Sequence, residues 1–178
     1  MDLKECILNR RSYRHPFLDR EIPEETLKEI LLMAYHAPSA CNMQSSHLIA
    51  VNDETILNEL ADLYGKEWAK TAKAAVLIAS SPEKFKTNNG GTRVLEDFGA
   101  TAEHILLAAV NYGLASVWIQ GQIEGEIATK MAKLLNVPDD FIIYGYFPLG
   151  YPSREIVSPK KKAFEDRCFL NGWGKSFN

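Results

Sequence analysis

The sequence is short of the material from which several protein classes are built. Three cysteines, Cys6, Cys41 and Cys168, lie far apart and form no C-x-x-C pair, so neither a disulfide framework nor a zinc knuckle is indicated. Free thiols in a reducing cytosol fit this usage. Crossing a bilayer takes about 18 apolar residues in a row, and no such run occurs. The nearest, from Phe98 to Ile119, is interrupted by Glu103, His104 and Asn111 and reads as a buried helix followed by a strand. The N-terminus, Met1-Asp2-Leu3-Lys4-Glu5, has charges where a signal peptide needs an apolar stretch, so a cytoplasmic location is expected. The eleven glycines never fall into G-x-G-x-x-G or G-x-x-x-x-G-K-[ST], which leaves neither a Rossmann fingerprint nor a P-loop. The four histidines show no metal-ligand spacing, which argues against a metal-dependent hydrolase, and no G-x-S-x-G elbow presents a serine nucleophile. Cys41, alone in a loop of small residues, reads as one more small residue before it reads as a thiol nucleophile.

What is present describes one folded domain. The chain has 178 residues, 46% hydrophobic and 24% charged, enough for one buried core over residues 1–178 and short for two. Twenty Lys and Arg against 23 Asp and Glu give a net charge of −3, so nucleic acid and anionic membrane are not expected partners. The distribution is uneven. Lys4, Arg10, Arg11, Arg14 and Arg20 crowd the start, and Arg154, Lys160, Lys161, Lys162 and Arg167 crowd the end.

Local patterns predict helices first, then helices interleaved with about four strands. Asp2 and Glu5 form a capping box for an opening helix. Leu27, Ile30, Leu31 and Ala34 give a second helix an apolar stripe that stops before Pro38. Leu48 to Val51 reads as a strand, Asp53 caps a helix that Gly65 closes, and Ala74–Ala79 is an unbroken apolar run, a central strand buried on both faces. Residues 81–93, with Pro82 and Asn88-Asn89-Gly90-Gly91, are a flexible loop, either a lid or a loose connection. Residues 97–112 form a helix apolar around so much of its circumference that it belongs at the centre of the protein or between subunits. Leu114–Ile119 and Phe141–Leu149 are further strands flanking a helix over 124–135, and a charged arm follows Pro152. The architecture expected is an α/β sandwich of the α+β class.

Three segments carry a chemical signal. In Arg10-Arg11-Ser12-Tyr13-Arg14 the arginines exceed what capping a helix requires, and guanidinium forks with a hydroxyl suit a phosphate. Ala37-Pro38-Ser39-Ala40-Cys41-Asn42-Met43-Gln44 is a helix stop and turn that also presents Ser, Asn and Gln in a loop whose small side chains let a flat ligand approach the backbone. Gly113-Leu114-Ala115-Ser116-Val117-Trp118-Ile119-Gln120-Gly121 reads as core, with only Gln120-Gly121 free to face a ligand.

These segments, in this order and followed by Val137-Pro138 and Leu149-Gly150-Tyr151-Pro152, resemble the FMN-dependent nitroreductase family from Arg10 to about Lys162. The resemblance implies a central mixed sheet flanked by helices, and a C-terminal arm extending to the partner of a homodimer. FMN would lie in each of two interfacial sites and accept hydride from NADH or NADPH. The acceptor would be a small oxidised molecule such as a nitroaromatic, a quinone or an activated alkene. It places Arg10, Arg11, Ser12 and Arg14 at the FMN phosphate and ribityl end. Pro38, Ser39, Ala40, Asn42 and Gln44 would pack on the flavin from the partner subunit. Ile119, Gln120 and Gly121 would supply backbone donors near N5 and O4, and one of Lys160, Lys161 and Lys162 would stand where most members have an arginine at the phosphate. No side chain is assigned as a general acid or base, and the helix over 97–112 is the expected core of the dimer interface. The chain departs from the family in continuing Gln44-Ser45-Ser46-His47 where Q-P-W is common, which removes an aromatic wall, and in having lysine for arginine, which gives up forked recognition. Reductive dehalogenation, flavin destruction and non-enzymatic flavin binding are alternatives on the same fold.

Overall fold

A computed structural model describes residues 1–177. Helices α1 (Leu3–Asn9) and α2 (Glu24–Tyr35) precede strand β1 (His47–Val51), helix α3 (Glu54–Tyr64) and strand β2 (Ala74–Ser80). Helix α4 (Val94–Asn111), strand β3 (Ala115–Ser116), helix α5 (Glu126–Leu134) and strand β4 (Ile142–Gly150) follow. The start of α1 is fixed by the expected box: Asp2 Oδ1 accepts from Glu5 N–H at 2.8 Å and Glu5 Oε2 accepts from Asp2 N–H at 3.2 Å. Helix α3 begins under an Asp53 cap and ends on Gly65 in the left-handed conformation, φ 74°, where a residue without Cβ is favoured.

The sheet runs in the order β1-β2-β4-β3 with all three pairings antiparallel. The parallel component expected of a mixed sheet is a single bridge, Ser12 to Ser116, outside the strands. Strand β2 is buried along its whole length. Its alternation divides the core into two layers: Ala74, Val76 and Ile78 meet α2 and α4, while Ala75, Leu77 and Ala79 meet α3 and α5. Each fully buried large aliphatic or aromatic side chain contributes about 1.5–3 kcal/mol, which makes this double-sided strand the centre of the α+β sandwich.

Three details depart from the sequence pattern. Strand β3 is two residues long instead of six. The register Ala115–Gly150 and Ser116–Leu149 resumes at Ile119–Tyr146, so Val117 faces Pro148. Tyr146 N–H donates to Ile119 O at 3.0 Å, and Pro148, two residues on, faces the same neighbour without an N–H to give. Pairing therefore lapses there.

Helix α4 uses its apolar circumference inside its own chain, with nine residues buried from Val94 to Ala109 between α2 and the sheet. Its other side, with Leu95 exposed and Ala100, Leu107 and Val110 half-buried, is not covered by the chain's own elements. Further exposed apolar side chains sit on α1 (Leu3, Ile7, Leu8), on α2 (Leu32, Met33, Tyr35) and on the terminal arm (Phe164, Trp173). Residues 81–93 are tied down: Thr87 N–H donates to Gly91 O at 2.7 Å, Thr92 Oγ1 donates to Phe85 O at 3.0 Å, and Lys84 pairs with Asp140.

Candidate functional site

The arginine segment emerges from the end of α1 and is stitched to the sheet edge. Tyr13 N–H donates to Ser116 O at 2.9 Å beside the Ser12–Ser116 bridge, so residues 12–13 line the outer side of β3. The Tyr13 side chain is buried, and its hydroxyl donates to Pro16 O and accepts from Ser153 N–H, both at 2.9 Å. Five residues further along the arm, Ser158 Oγ accepts from Arg11 Nε at 2.7 Å. The two ends of the chain, each with its basic cluster, thereby meet. Lys160, Lys161 and Lys162 follow Ser158 after one proline and are exposed.

Each arginine has a distinct environment. Arg10 Nε is 3.2 Å from Glu103 Oε1 on α4, a partly exposed pair of small energetic value that sets the side chain's direction. Arg11 is braced by Ser158 and by its own donation to Arg10 O at 2.7 Å. Arg14 is exposed. Its charge is felt at buried Tyr64, whose hydroxyl is pushed above the usual tyrosine range by burial and pulled partly back by the Arg14 guanidinium. Tyr64 donates to Gln122 Oε1 at 2.9 Å, which anchors the turn just beyond Gly121.

At that turn the three strand-end residues differ. Ile119 is buried, its N–H donates to Tyr146 O at 3.2 Å, and its carbonyl accepts from Tyr146 N–H. Its backbone N–H, expected to serve as a donor near the flavin, is thus engaged by Tyr146 within the chain. Among the described residues no acceptor engages the N–H of Gln120 or Gly121. Gly121 is exposed, with no atom within 4 Å of where a Cβ would stand. Arg10–Arg14, Gln120-Gly121 and, at Ser158, the arm that leads to the lysine run thus border one sheet edge.

The Pro38–Gln44 loop is held elsewhere. Ala40 N–H donates to Asp97 Oδ1 at 2.8 Å and Ser45 Oγ donates to Asp97 Oδ2 at 2.6 Å, while Ser39 Oγ accepts from Gln44 N–H at 2.9 Å. Between these fixings Cys41, Asn42 and Gln44 all have positive φ, 51°, 54° and 51°. Left-handed non-glycine backbone costs about 1–3 kcal/mol per residue, least for Asn, and accumulates at ligand-contacting loops. Asp97 lies six residues before Glu103, a separation of about 9 Å along a helix. The loop and Arg10 are therefore gripped at two levels of α4, and among the described residues no hydrogen bond joins them.

Sequence reasoning passed over Asp97, Tyr13, Ser153 and Ser158. In sequence Asp97 only opens the apolar 97–112 pattern, and Tyr13 only stands inside the arginine segment. The Ser45 that takes the place of the usual proline is itself buried and bonded to Asp97. A cavity of about 340 Å³ between α5 and β4, lined by Ala128, Lys133, Val137, Phe141 and Ile143, involves none of the predicted residues. Among the described residues no cluster of His, Cys, Asp and Glu able to hold a metal ion occurs and no helix is long and apolar enough to cross a membrane.

The nitroreductase family model matches residues 7–93 and 71–151. A protein of Methanothermobacter thermautotrophicus, provisionally named an NADH dehydrogenase/NAD(P)H nitroreductase, is 33% identical over 97% of this chain and 88% of its own length. A protein of Archaeoglobus fulgidus with the same provisional name is 32% identical over 86% and 88%. Among solved structures, an FMN-dependent nitroreductase of Clostridium difficile superposes with a TM-score of 0.81 at 25% identity, covering 96% of this chain and 99% of that one. The motif order and these matches agree: the chain belongs to the nitroreductase family.

Proposed function

We propose that residues 1–178 form one FMN-binding domain that works as a homodimer, taking hydride from NADH or NADPH to reduce a small oxidised acceptor such as a nitroaromatic, a quinone or an activated alkene. The observation that carries this reading is the meeting of both terminal basic clusters at one sheet edge, through Arg11–Ser158 and Tyr13–Ser153. A phosphate monoester of charge about −2 suits such a set. Guanidinium forks offer paired donors, the exposed Ser12 hydroxyl a neutral one, and the lysines compact positive charge. The free N–H groups of Gln120 and Gly121 suit the carbonyl and ring-nitrogen edge of a flavin. Family membership supports flavin-dependent NAD(P)H oxidoreduction in general; the acceptor class is the narrower part of the proposal.

When bound, FMN supplies the hydride chemistry. The chain binds, orients and excludes water. Arg10, Arg11, Ser12 and Arg14 hold the phosphate, and one or more of Lys160–Lys162 adds positive charge to it. Gln120 and Gly121 direct N–H dipoles at the ring edge where negative charge develops, and Ile119 fixes that edge through its two bonds to Tyr146. Pro38, Ser39, Ala40, Asn42 and Gln44 serve the ring bound by the other copy. The exposed apolar side chains of α1, α2 and the arm are the surface that a second copy covers to keep the site dry.

An absorbance spectrum of the purified protein tests this. The expected result is a yellow protein with flavin bands that bleach on addition of NADH or NADPH and recover with a nitroaromatic or quinone. Colourless protein that also refuses added FMN sinks the proposal, and flavin bands that no nicotinamide bleaches reduce it to flavin binding. A stable monomer holding stoichiometric FMN in light scattering excludes the interfacial arrangement.

A further inference from the structure

Asp97 is the one charged residue in the buried set among the described residues, at 3% exposure. It stands in the first turn of α4, where the helix dipole favours negative charge. Both carboxylate oxygens are committed outside the helix, one to Ala40 N–H and the other to the Ser45 hydroxyl. Of the four residues strung between these attachment points, Cys41, Asn42 and Gln44 are left-handed, and all three are exposed. A loop that only closed the chain between α2 and β1 would gain nothing by holding exposed residues in a costly conformation. A buried charge bonded to a strained, outward-facing loop is the arrangement expected where the loop's outer surface is what has to be shaped.

We propose that Asp97 is a positioning residue of the flavin site, acting in trans: it fixes the Ser39–Ser45 loop of one copy in the shape that packs on the FMN held by the other copy's Arg10 and Arg14. The inference rests on the dimeric FMN reading above and deepens it. Asp97→Ala leaves the Ala40 N–H and the Ser45 hydroxyl without their acceptor and lets the left-handed residues relax. Asp97→Asn keeps both contacts, because the amide oxygen accepts from Ala40 N–H and the amide nitrogen donates to Ser45 Oγ.

FMN affinity is read by quenching of flavin fluorescence, with folding checked by circular dichroism and assembly by light scattering. Asp97→Ala is expected to raise the FMN Kd by about tenfold or more, the loss of at least one charge-assisted hydrogen bond, while Asp97→Asn restores binding to within a few-fold of wild type. The decisive measurement uses two affinity tags to isolate mixed dimers of Asp97→Ala with the Arg10→Ala, Arg14→Ala double variant. Acting in trans, the lesions fall together on one site and leave the other intact. Mixed dimers then bind one FMN at a concentration where neither parent homodimer retains any. Mixed dimers without FMN overturn the trans assignment, and Asp97→Ala with wild-type affinity overturns the role altogether. Should Asp97→Ala fail to fold, Ser45→Ala takes its place, and unchanged affinity there has the same force. Wild-type protein that binds no FMN, or binds it as a monomer, defeats the underlying reading before any variant is compared.

Discussion

The arginine segment and the Pro38–Gln44 loop border the same proposed cofactor and are held by opposite means. The first is attached to the sheet through main chain, Tyr13 N–H to Ser116 O, and to the terminal arm through the Tyr13 and Arg11 side chains. The Arg10 and Arg14 side chains can change without loosening those attachments. The second is held by side chains, the buried Asp97 carboxylate at Ala40 and Ser45 and the Ser39 hydroxyl at Gln44, around three left-handed residues. Substitution should therefore separate binding from stability in the first region and couple loop shape to binding in the second.

The largest effect expected tests the first half of that contrast. Replacing Arg10 and Arg14 together by alanine removes forked donors to a dianion, each charged hydrogen bond being worth about 1.5–3 kcal/mol. FMN affinity should fall by about a hundredfold or more, with the melting temperature nearly unchanged because the one ion pair lost, Arg10–Glu103, is partly exposed. Unchanged flavin content would return both basic clusters to solvent.

Gly145→Ala disturbs both regions at once. A Cβ there would stand 2.6 Å from Phe98 Cε2 and 2.8 Å from Phe147 Cε2. Phe98 follows Asp97 and packs edge-on against Trp118 at 5.2 Å. Overpacking of this kind costs about 1–3 kcal/mol, which calorimetry would register as a lower melting temperature. An unaffected melting temperature would mean that the two regions do not share this support.

Ser45→Ala removes one of the two loop bonds to Asp97 and should weaken FMN binding by about fivefold, the equivalent of a single hydrogen bond near 1 kcal/mol. Loss of thermal stability without loss of affinity would show the loop to be structural only.

The smallest effect needs no cofactor. Burial raises the ionisation of Tyr64 and Tyr146 above the ordinary tyrosine range, so the folded state favours their neutral forms. Their contribution to stability is intact below that range and is lost as pH climbs through it. Arg14 opposes the shift at Tyr64. Arg14→Ala should therefore move one tyrosine of the tyrosinate absorbance titration still higher, and no movement would mean that Arg14 lies away from the Tyr64–Gln122 contact.

Much of the fold was legible because its signals are local. The Ala74–Ala79 run, the Asp2–Glu5 box and the Asp53-to-Gly65 helix each depend on neighbours within a few turns. The shortening of β3 was not, since it depends on Pro148 arriving opposite Val117 from a distant strand. The periodicity of residues 97–112 revealed how much surface had to be covered but not that α2 and the sheet would cover it. In the candidate site, the arginines, the loop and Gln120-Gly121 announced themselves by residue type. Asp97 did not, because one acid in a first helical turn is unremarkable until its partners Ala40 and Ser45 are brought to it by the chain's return from α2.

The spacing between Asp97 and Glu103 also limits how the chain can change in length. Deleting one residue between them would shift Glu103 by about 1.5 Å and swing it about 100° around the helix axis, carrying its grip away from Arg10 while Asp97 stayed on the loop. Insertions in residues 81–93 have no such effect, since that hairpin closes on itself through Thr87, Gly91 and Thr92. Helix α4 thus acts as a gauge of fixed length and angle. In relatives with the same two grips, length variation is expected to gather in the hairpin and to be missing from the six-residue interval.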